Sequence, residues 1–229
     1  MSSNQEQIEY WNERAGETWA ELQDRLDALL APLSAAGLAA ANVRPSERVL
    51  DVGCGCGDTS IALSAMGANV LGVDVSGPML ARARSRDASI EYQQADAATT
   101  DFAHAFDLVF SRFGVMFFDD PTAAFKNLYN ALKPGGRLLF VCWQPPAVNP
   151  WMATAGRAIA PYLPPSDEAP TPRAPGPCAF ADARYVEQIL QDAGFSEIQI
   201  NAHEESLKVA DTLAEAVQFQ TRVGPAARV

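Results

Sequence analysis

Short apolar runs alternate with helical patterns along the chain from residue 48 onward. The apolar runs predict strands at 48–53, 69–75, 89–96, 106–112 and 137–143. Between them, apolar residues recur every three or four positions, and Ser, Asp or Pro at the start of a segment is typical of a helix N-terminus. Since strands that alternate with helices form βαβ units, the pattern predicts an α/β fold with a doubly wound, mostly parallel sheet and helices on both faces.

Two regions depart from this alternation. Apolar side chains at helical spacing over residues 5–38 predict one or two amphipathic N-terminal helices. Residues 144–180 contain ten of the 16 prolines, and we expect this segment to form an ordered cap over the carboxyl edge of the sheet, rather than a disordered linker. Beyond the cap we predict a helix over 181–193, a strand over 197–204 and a final helix over 211–222.

Composition limits the classes of partner. The chain has 17 Lys and Arg against 28 Asp and Glu, a formal net charge of -11, which is the wrong sign for a surface that neutralises phosphates. We therefore expect no nucleic-acid partner. The sequence shows neither an N-terminal leader pattern nor an apolar run long enough for a membrane span, so we expect a cytoplasmic protein. Four scattered cysteines argue against a disulfide scaffold, and the Cys54-x-Cys56 pair lacks the spacing of a zinc site, so we expect no metal.

The candidate ligand site is the stretch VLDVGCGCGDTS at residues 49–60. Its glycines at 53, 55 and 57 follow the first predicted strand, and ligands of open parallel sheets bind at the carboxyl ends of the strands. Glycine allows positive φ and lets a ligand approach bare main chain, although structural turns use glycine for the same reasons. Asp74 ends the second predicted strand, where a carboxylate can accept both hydroxyl hydrogens of an adenosine ribose.

The glycine spacing separates two classes of cofactor. A dinucleotide fingerprint would need glycine at position 58 or 60, where this chain has Asp58 and Ser60. Asp51 beside the loop would repel a pyrophosphate, whereas a carboxylate suits a cationic ligand such as S-adenosylmethionine, with its ammonium and sulfonium groups. A nicotinamide-dependent oxidoreductase is therefore the less favoured alternative.

Five motifs in order carry a family resemblance. VLDVGCGCGDTS, VLGVDVS, QQADAAT, FDLVFSRFGVMFF and LKPGGRLLFV together resemble the motifs of class I S-adenosylmethionine-dependent methyltransferases, especially the small-molecule branch that includes ubiquinone/menaquinone-biosynthesis-type enzymes. The resemblance covers about residues 40 to 145, with looser similarity to residue 204. It implies a Rossmann-like fold, S-adenosyl-L-methionine as the cofactor and methyl transfer to a small, partly apolar acceptor. A non-catalytic S-adenosylmethionine-binding protein stays open as an alternative.

The resemblance also implies a set of cofactor-binding residues. Asp51, Gly53 and Gly55 would hold the methionine part, and Asp74 the ribose hydroxyls. Around the adenine would lie Val75, Met79, Asp96 and Ala97, and beneath the methionine Ser111 and Arg112. The segment YWNERAGETW resembles the lid helix of relatives, with Tyr10 and Trp11 near the sulfonium or, alternatively, in the core beneath the helix.

On this basis we expect a single domain over residues 1–229. It would comprise N-terminal lid helices (1–40), a cofactor-binding core (41–143), a cap insertion (144–180) and a C-terminal part (181–229). Relatives end with a seventh, antiparallel strand between the fifth and sixth. Either residues 205–210 form that strand or the sequence is cut before it, and we expect the latter, which would leave an open groove beside the fifth strand and allow a homodimer.

The chemistry of methyl transfer calls for few protein groups. It is an in-line displacement in which the cofactor supplies the reactivity, so the protein aligns the reactants and excludes water. Neither His104 nor His203 lies where a base is expected, and no catalytic residue is assigned. We expect the acceptor to be enclosed by the cap and by aromatic and Met side chains, namely Phe113, Met116, Phe117, Trp143 and Trp151, with Phe117 favoured as a core residue.

Overall fold

The protein is described by a computed structural model, and the residues it describes are 4–162 and 173–224. The helices are α1 (Asn4–Asn12), α2 (Arg14–Glu21), α3 (Gln23–Ala41), α4 (Asp58–Ala65), α5 (Gly77–Arg86), α6 (Pro121–Ala131), α7 (Pro150–Ile159), α8 (Ala183–Ala193) and α9 (Leu213–Gln220). The strands are β1 (Arg48–Val52), β2 (Asn69–Asp74), β3 (Glu91–Gln94), β4 (Phe106–Arg112) and β5 (Leu132–Val141). Short 3-10 turns lie at Val115–Phe117, Pro146–Val148 and Ala160–Tyr162.

The five strands form one parallel sheet in the order β3-β2-β1-β4-β5, with β1 in the centre. Neighbouring residues of β1 face opposite sides, so Leu50 and Val52 pack in one core cluster with α6 and α8, while Val49 packs in another with Leu63 of α4. This arrangement confirms the predicted doubly wound α/β fold. Its switch point lies between β1 and β4, where ligands bind in such sheets.

Helix boundaries follow local capping chemistry. Ser76 caps α5 by accepting a hydrogen bond from the Met79 amide, and Asp120 caps α6 by accepting one from the Ala123 amide. Each of these helices has a proline in its first turn, where the missing N–H costs no hydrogen bond.

The N-terminal segment forms three helices, where one or two were predicted. The helical path breaks at Glu13 and again at Leu22. Residues of α3 also serve two purposes. Leu26 lines the central cavity, whereas Gly37 packs on the sheet, close enough that a Cβ there would lie 2.8 Å from Val141 Cγ2. Only part of the predicted lid therefore covers the site.

The edges of the sheet differ from the predicted strands. β3 is shorter than the predicted 89–96, so Asp96 lies in the turn after the strand. The Lys-Pro-Gly-Gly turn is a bulge within β5, because the register shifts from Phe106↔Leu132 to Leu108↔Arg137.

The predicted strand over 197–204 is wrong. Residues 198–210 run without regular secondary structure, and residues 205–210 form no strand either. Ile198 packs on the core, but β5 ends the sheet and no strand among the described residues pairs with its outer side. Residues 197–204 pair with no strand among the described residues, and a β-prone sequence that lacks such pairing forms no hydrogen-bond ladder.

The cap is described in part. Within 144–180, the apolar stretch that begins at Asn149 forms α7, and residues 163–172 lie outside the described residues. No helix of the described ranges combines the length and apolar character needed to cross a membrane.

Candidate cofactor and acceptor site

The glycine loop follows β1 and has left-handed backbone at each of its glycines. The φ angles are 67° at Gly53, 54° at Gly55 and 84° at Gly57. A Cβ at Gly53 would lie 2.6 Å from the Cα of Gly114, so the loops after β1 and β4 touch through bare backbone. The loop therefore needs glycine both for its dihedral angles and for this approach.

Asp74 stands at the end of β2, beside this loop. Its Oδ2 accepts a hydrogen bond from the Gly55 amide at 2.8 Å, and its Oδ1 accepts one from the Ser76 amide at 2.8 Å. Burial raises the pKa of this carboxyl, and the backbone hydrogen bonds from Ser76 and Gly55 oppose that shift. The carboxylate faces the cavity in a fixed orientation, as a ribose-binding group requires.

Asp51 and Ser111 do not line the cavity, whereas all the other predicted cofactor residues do. Asp51 is fully buried, and its Oδ2 accepts hydrogen bonds from Thr59 Oγ1 (2.7 Å) and Ser60 Oγ (2.6 Å) in the first turn of α4. Ser111 Oγ donates to the Val52 carbonyl at 2.7 Å. Both side chains thus tie the loops that carry the site.

Burial is the main influence on the pKa of Asp51. It raises the pKa of this carboxyl to about 6, against the opposing hydrogen bonds from Ser60 and Thr59 and the charge of Arg112. Its Oδ1 atom is buried without a hydrogen-bond partner among the described residues. Asp51 thus holds the N-terminus of α4 through one oxygen only.

Arg112 connects the floor of the cavity to α3 and α4. Its Nη1 donates to Asp58 Oδ2 at 2.7 Å and to Ser34 Oγ at 2.5 Å. Asp58 is the first residue of α4, so a carboxylate lies where a dinucleotide would place its pyrophosphate. This geometry disfavours a pyrophosphate at the loop.

The predicted adenine residues lie together on the β2–β3 side of the cavity. Val75, Met79, Asp96 and Ala97 all line it. Asp96 Oδ1 accepts a hydrogen bond from the Ala98 amide at 2.9 Å, while Oδ2 accepts one from the side-chain amide of Asn4. The start of α1 therefore contacts the side chain expected to read the adenine.

The lid contributes aromatic rings to the cavity wall. Tyr10 and Trp11 line the cavity and contact each other edge-to-face, with ring centroids 5.2 Å apart. Trp11 also contacts Phe117 edge-to-face at 5.2 Å. Phe117 both lines the cavity and packs against the core.

The cavity extends past the glycine loop to the cap, with a volume of about 1670 Å³. A pocket for one small ligand measures about 300–1000 Å³, so there is room for a second ligand beside a nucleoside cofactor. The ring of Phe113 stacks on that of Trp143 with 4.3 Å between the ring centroids, and the centroids of Trp143 and Trp151 are 5.1 Å apart. The backbone of Phe113 has a φ of 63°, which is unusual for a bulky residue. In this conformation its ring lies against Trp143.

Neither histidine lines the cavity. His104 Nδ1 lies 3.2 Å from the Leu132 carbonyl near the opposite edge of the sheet, and His203 Nε2 is exposed, 3.1 Å from Glu205 Oε1. The described ranges hold no cluster of three or more His, Cys, Asp or Glu side chains that could ligate a metal.

Sequence reasoning missed four residues that shape the site. They are Asn4, Asn12, Asp58 and Gly114. Asn4 and Asn12 lie on a polar helix, and no hydrophobic periodicity distinguishes them from its other polar residues. The contact between Gly53 and Gly114 depends on the tertiary fold. Asp58 stands at the start of a helix, and an acidic residue in the first turn of a helix is a signal that favours a charged role there.

Comparison with known proteins agrees with this geometry. Residues 50–140 match the family model described as a methyltransferase domain, Methyltransf_11. The chain is 40% identical to malonyl-[acyl-carrier protein] O-methyltransferase of Enterobacter lignolyticus, over 61% of this chain and 53% of that protein. The chain spans about half, or less, of the length of the curated relatives it matches.

Solved structures show the same fold. Phosphoethanolamine N-methyltransferase 2 of Haemonchus contortus, in complex with S-adenosyl-L-methionine, is similar with a TM-score of 0.53 and 27% identity, over 73% of this chain and 37% of that one. Magnesium protoporphyrin IX methyltransferase of Synechocystis, with bound S-adenosylhomocysteine, aligns over 85% and 90% of the two chains with a TM-score of 0.62 and 19% identity. The fold is the Rossmann-like fold of class I methyltransferases.

Proposed function

We propose that this protein transfers a methyl group from S-adenosyl-L-methionine to a small, partly apolar organic acceptor. The observation that carries the proposal is the pairing of the glycine loop with the Asp74 carboxylate, which accepts the Gly55 and Ser76 amides at 2.8 Å and lines the cavity. The matching methyltransferase domain and the relatives that bind this cofactor support it.

In the proposed complex, the cofactor's methionine part lies over Gly53 and Gly55, and Asp74 accepts the ribose hydroxyl hydrogens. Val75, Met79 and Ala97 surround the adenine, and Asp96 accepts its amino hydrogens. Tyr10 and Trp11 close the site from above, and their electron-rich faces favour a sulfonium. Asp51, Ser111 and Arg112 position the loops that carry these contacts.

The reaction needs alignment and exclusion of water more than acid-base groups. S-adenosyl-L-methionine would supply a methyl group on a cationic sulfur: the acceptor's lone pair would form the new bond to carbon as the C–S bond breaks and a neutral thioether leaves. The positive charge would neutralise an anionic acceptor, or it would pass to a neutral acceptor that then loses a proton to water. A surface of low polarity favours the case in which opposite charges neutralise each other. The stacked rings of Phe113 and Trp143, with Trp151 beside them, provide such a surface around the acceptor.

The aromatic wall also suggests the class of acceptor. A planar, partly apolar molecule, as in ubiquinone/menaquinone-biosynthesis-type methylation, fits a cavity lined by Phe113, Trp143 and Trp151. Two of the three relatives named above are named for phosphoethanolamine and malonyl-[acyl-carrier protein], which are more polar. A cytoplasmic location and a homodimer stay predictions.

Two measurements test the proposal. Calorimetric titration should detect binding of S-adenosylmethionine and S-adenosylhomocysteine but not of NADH. Incubation with methyl-labelled cofactor and a metabolite extract should then move label into an organic product. Binding of NADH alone would contradict the proposal, and cofactor binding without any label transfer would favour the non-catalytic alternative.

A further inference from the structure

Asn12, at the end of α1, forms hydrogen bonds through every polar position of its side chain. Its Nδ2 donates to the carbonyls of Ile8 (2.7 Å) and Val75 (2.8 Å). Its Oδ1 accepts from the Gly77 amide (3.0 Å) and from Gln94 Nε2 (3.2 Å). A primary amide has two donors and two lone pairs, so the bonding capacity of Asn12 is filled.

The loop that Asn12 holds is the one that shapes the Asp74 carboxylate. Residues 75–77 directly follow Asp74, and the Ser76 amide between the two contact points of Asn12 donates to Asp74 Oδ1 at 2.8 Å. Asn12 therefore joins the lid to the backbone that fixes the proposed ribose-binding group, although the residues are 62 positions apart in sequence.

The first turn of α2 packs on the same loop. Gly16 is so close to it that a Cβ would lie 2.6 Å from Ser76 Oγ and 2.1 Å from the Trp11 carbonyl oxygen. Ser76 is fully buried beneath this turn. The contact leaves no space for a side chain, so the lid sits directly on the loop.

The other side of the lid makes contacts of a different kind. Trp11 meets Phe117 and Trp19 edge-to-face, at 5.2 and 5.7 Å. Such ring contacts are less directional than four hydrogen bonds to fixed partners, three of which lie outside α1. Directional hydrogen bonds therefore fix the lid on the side of residues 75–77, where Asn12 forms three of them to residues outside α1.

We propose that Asn12 is a positioning residue that fixes the lid over the bound cofactor by joining α1 to the loop at residues 75–77. This inference rests on the proposed cofactor site. Asn12 acts through the backbone of Val75 and Gly77, and it keeps Tyr10 and Trp11 in place above the methyl group. Without it, the lid spends less time closed and the closed, binding-competent fraction falls.

The expected effect follows from population arithmetic. The apparent dissociation constant equals the intrinsic constant divided by the competent fraction. Because a typical hydrogen bond contributes a several-fold factor and Asn12→Ala removes several, we expect the dissociation constant of S-adenosylhomocysteine to rise by about tenfold. Asn12→Ser keeps one uncharged hydroxyl that can replace one of these hydrogen bonds, so its effect should be smaller, about threefold.

The test compares these variants with Gln5→Ala by calorimetry and by hydrogen exchange with and without S-adenosylhomocysteine. Gln5 is an exposed residue of the same helix, and its side chain donates a hydrogen bond to Glu9 Oε1 at 3.0 Å. The Gln5→Ala variant should therefore bind S-adenosylhomocysteine like the wild type. Asn12→Ala should weaken binding and reduce the ligand-dependent protection of residues 4–21, with β1 protected as before. Asn12→Ser serves if Asn12→Ala does not fold.

The outcomes separate this inference from the proposed function. A dissociation constant unchanged in the Asn12 variants, even with a lower melting temperature, would overturn the positioning role if Asp74→Ala still loses affinity. If Asp74→Ala also binds normally, the cofactor site itself is wrong. Weaker binding in Asn12→Ala and in Gln5→Ala alike would also contradict a specific role for Asn12.

Discussion

β1 and the segment after α8 both carry sequences typical of strands, but only β1 forms one. β1 pairs with β2 on one side and with β4 on the other, and its Val49 and Leu50 are fully buried. In residues 197–204, Ile200 is 45% exposed and no ladder forms among the described residues. The difference teaches that strand formation here depends on neighbouring strands more than on local pattern.

The same contrast separates the two halves of the cavity. At the cofactor end, hydrogen bonds from backbone amides and from neighbouring side chains fix the polar groups. At the acceptor end, the walls are rings and the half-buried strand β5, whose outer edge has no strand partner among the described residues. Cofactor recognition is therefore built into the centre of the sheet, and acceptor recognition into its periphery.

Hydrogen exchange should show the largest difference between the two regions. We expect the amides of β1 to exchange about a thousandfold or more slowly than those of residues 198–208, because only β1 opens with the global unfolding of the sheet. Comparable protection of the two segments would mean that residues 198–208 are held by a hydrogen-bonded partner in solution.

Removing the Asp74 carboxylate should weaken cofactor binding strongly. Hydrogen bonds to a charged group contribute about 1.5–3 kcal/mol each, so loss of two to the ribose predicts a rise of about a hundredfold or more in the dissociation constant for Asp74→Ala. Asp87→Ala is the matched control, since Asp87 does not line the cavity and its carboxylate accepts a hydrogen bond from the Ser89 amide. Retained affinity in Asp74→Ala would remove Asp74 from the site.

Two glycine variants test the backbone of the loop. Gly53→Ala combines a φ of 67° with a Cβ 2.6 Å from Gly114 Cα, so we expect a loss of about 2–4 kcal/mol in the free energy of unfolding. Gly156 lies within α7 with no atom within 4 Å of an added Cβ, and Gly156→Ala should be neutral or stabilise by up to about 1 kcal/mol. Equal effects of the two variants in denaturant titrations would contradict this account.

Substitution of Asp51 should give the smallest effect, which appears as a change in how the free energy of unfolding depends on pH. Its pKa of about 6 in the fold exceeds its usual value of 3.8, so between pH 4 and 6 the folded state binds more protons than the unfolded state. Protonation of Asp51 therefore stabilises the fold at low pH, and this contribution disappears as the pH rises through 6.

Asp51→Asn lacks this titration. The stability of the wild type relative to Asp51→Asn should therefore be higher at pH 4.5 than at pH 7.5, by on the order of 2 kcal/mol. Unfolding titrations at the two pH values measure the difference. A relative stability that rises with pH would show that the carboxylate is stabilised in its charged form instead.

The sequence alone predicts the strands and helices at the centre of the sheet, but it does not predict the structure at the edges of the sheet. The β1–α4–β2 unit could be predicted because apolar strands, glycines and helix caps act locally. The missing strand at 197–204 could not, since it depends on what lies beyond β5. The roles of Asp51 and Ser111 behind the loop, and of Asn12 above it, depend on distances between segments far apart in sequence.

The most direct test is a crystal structure with S-adenosylhomocysteine bound. We expect the amino-acid end over Gly53 and Gly55, both ribose hydroxyls on the Asp74 carboxylate, and the adenine between Met79 and Ala97. A nucleoside bound elsewhere in the cavity, with Asp74 free of the ribose, would contradict it.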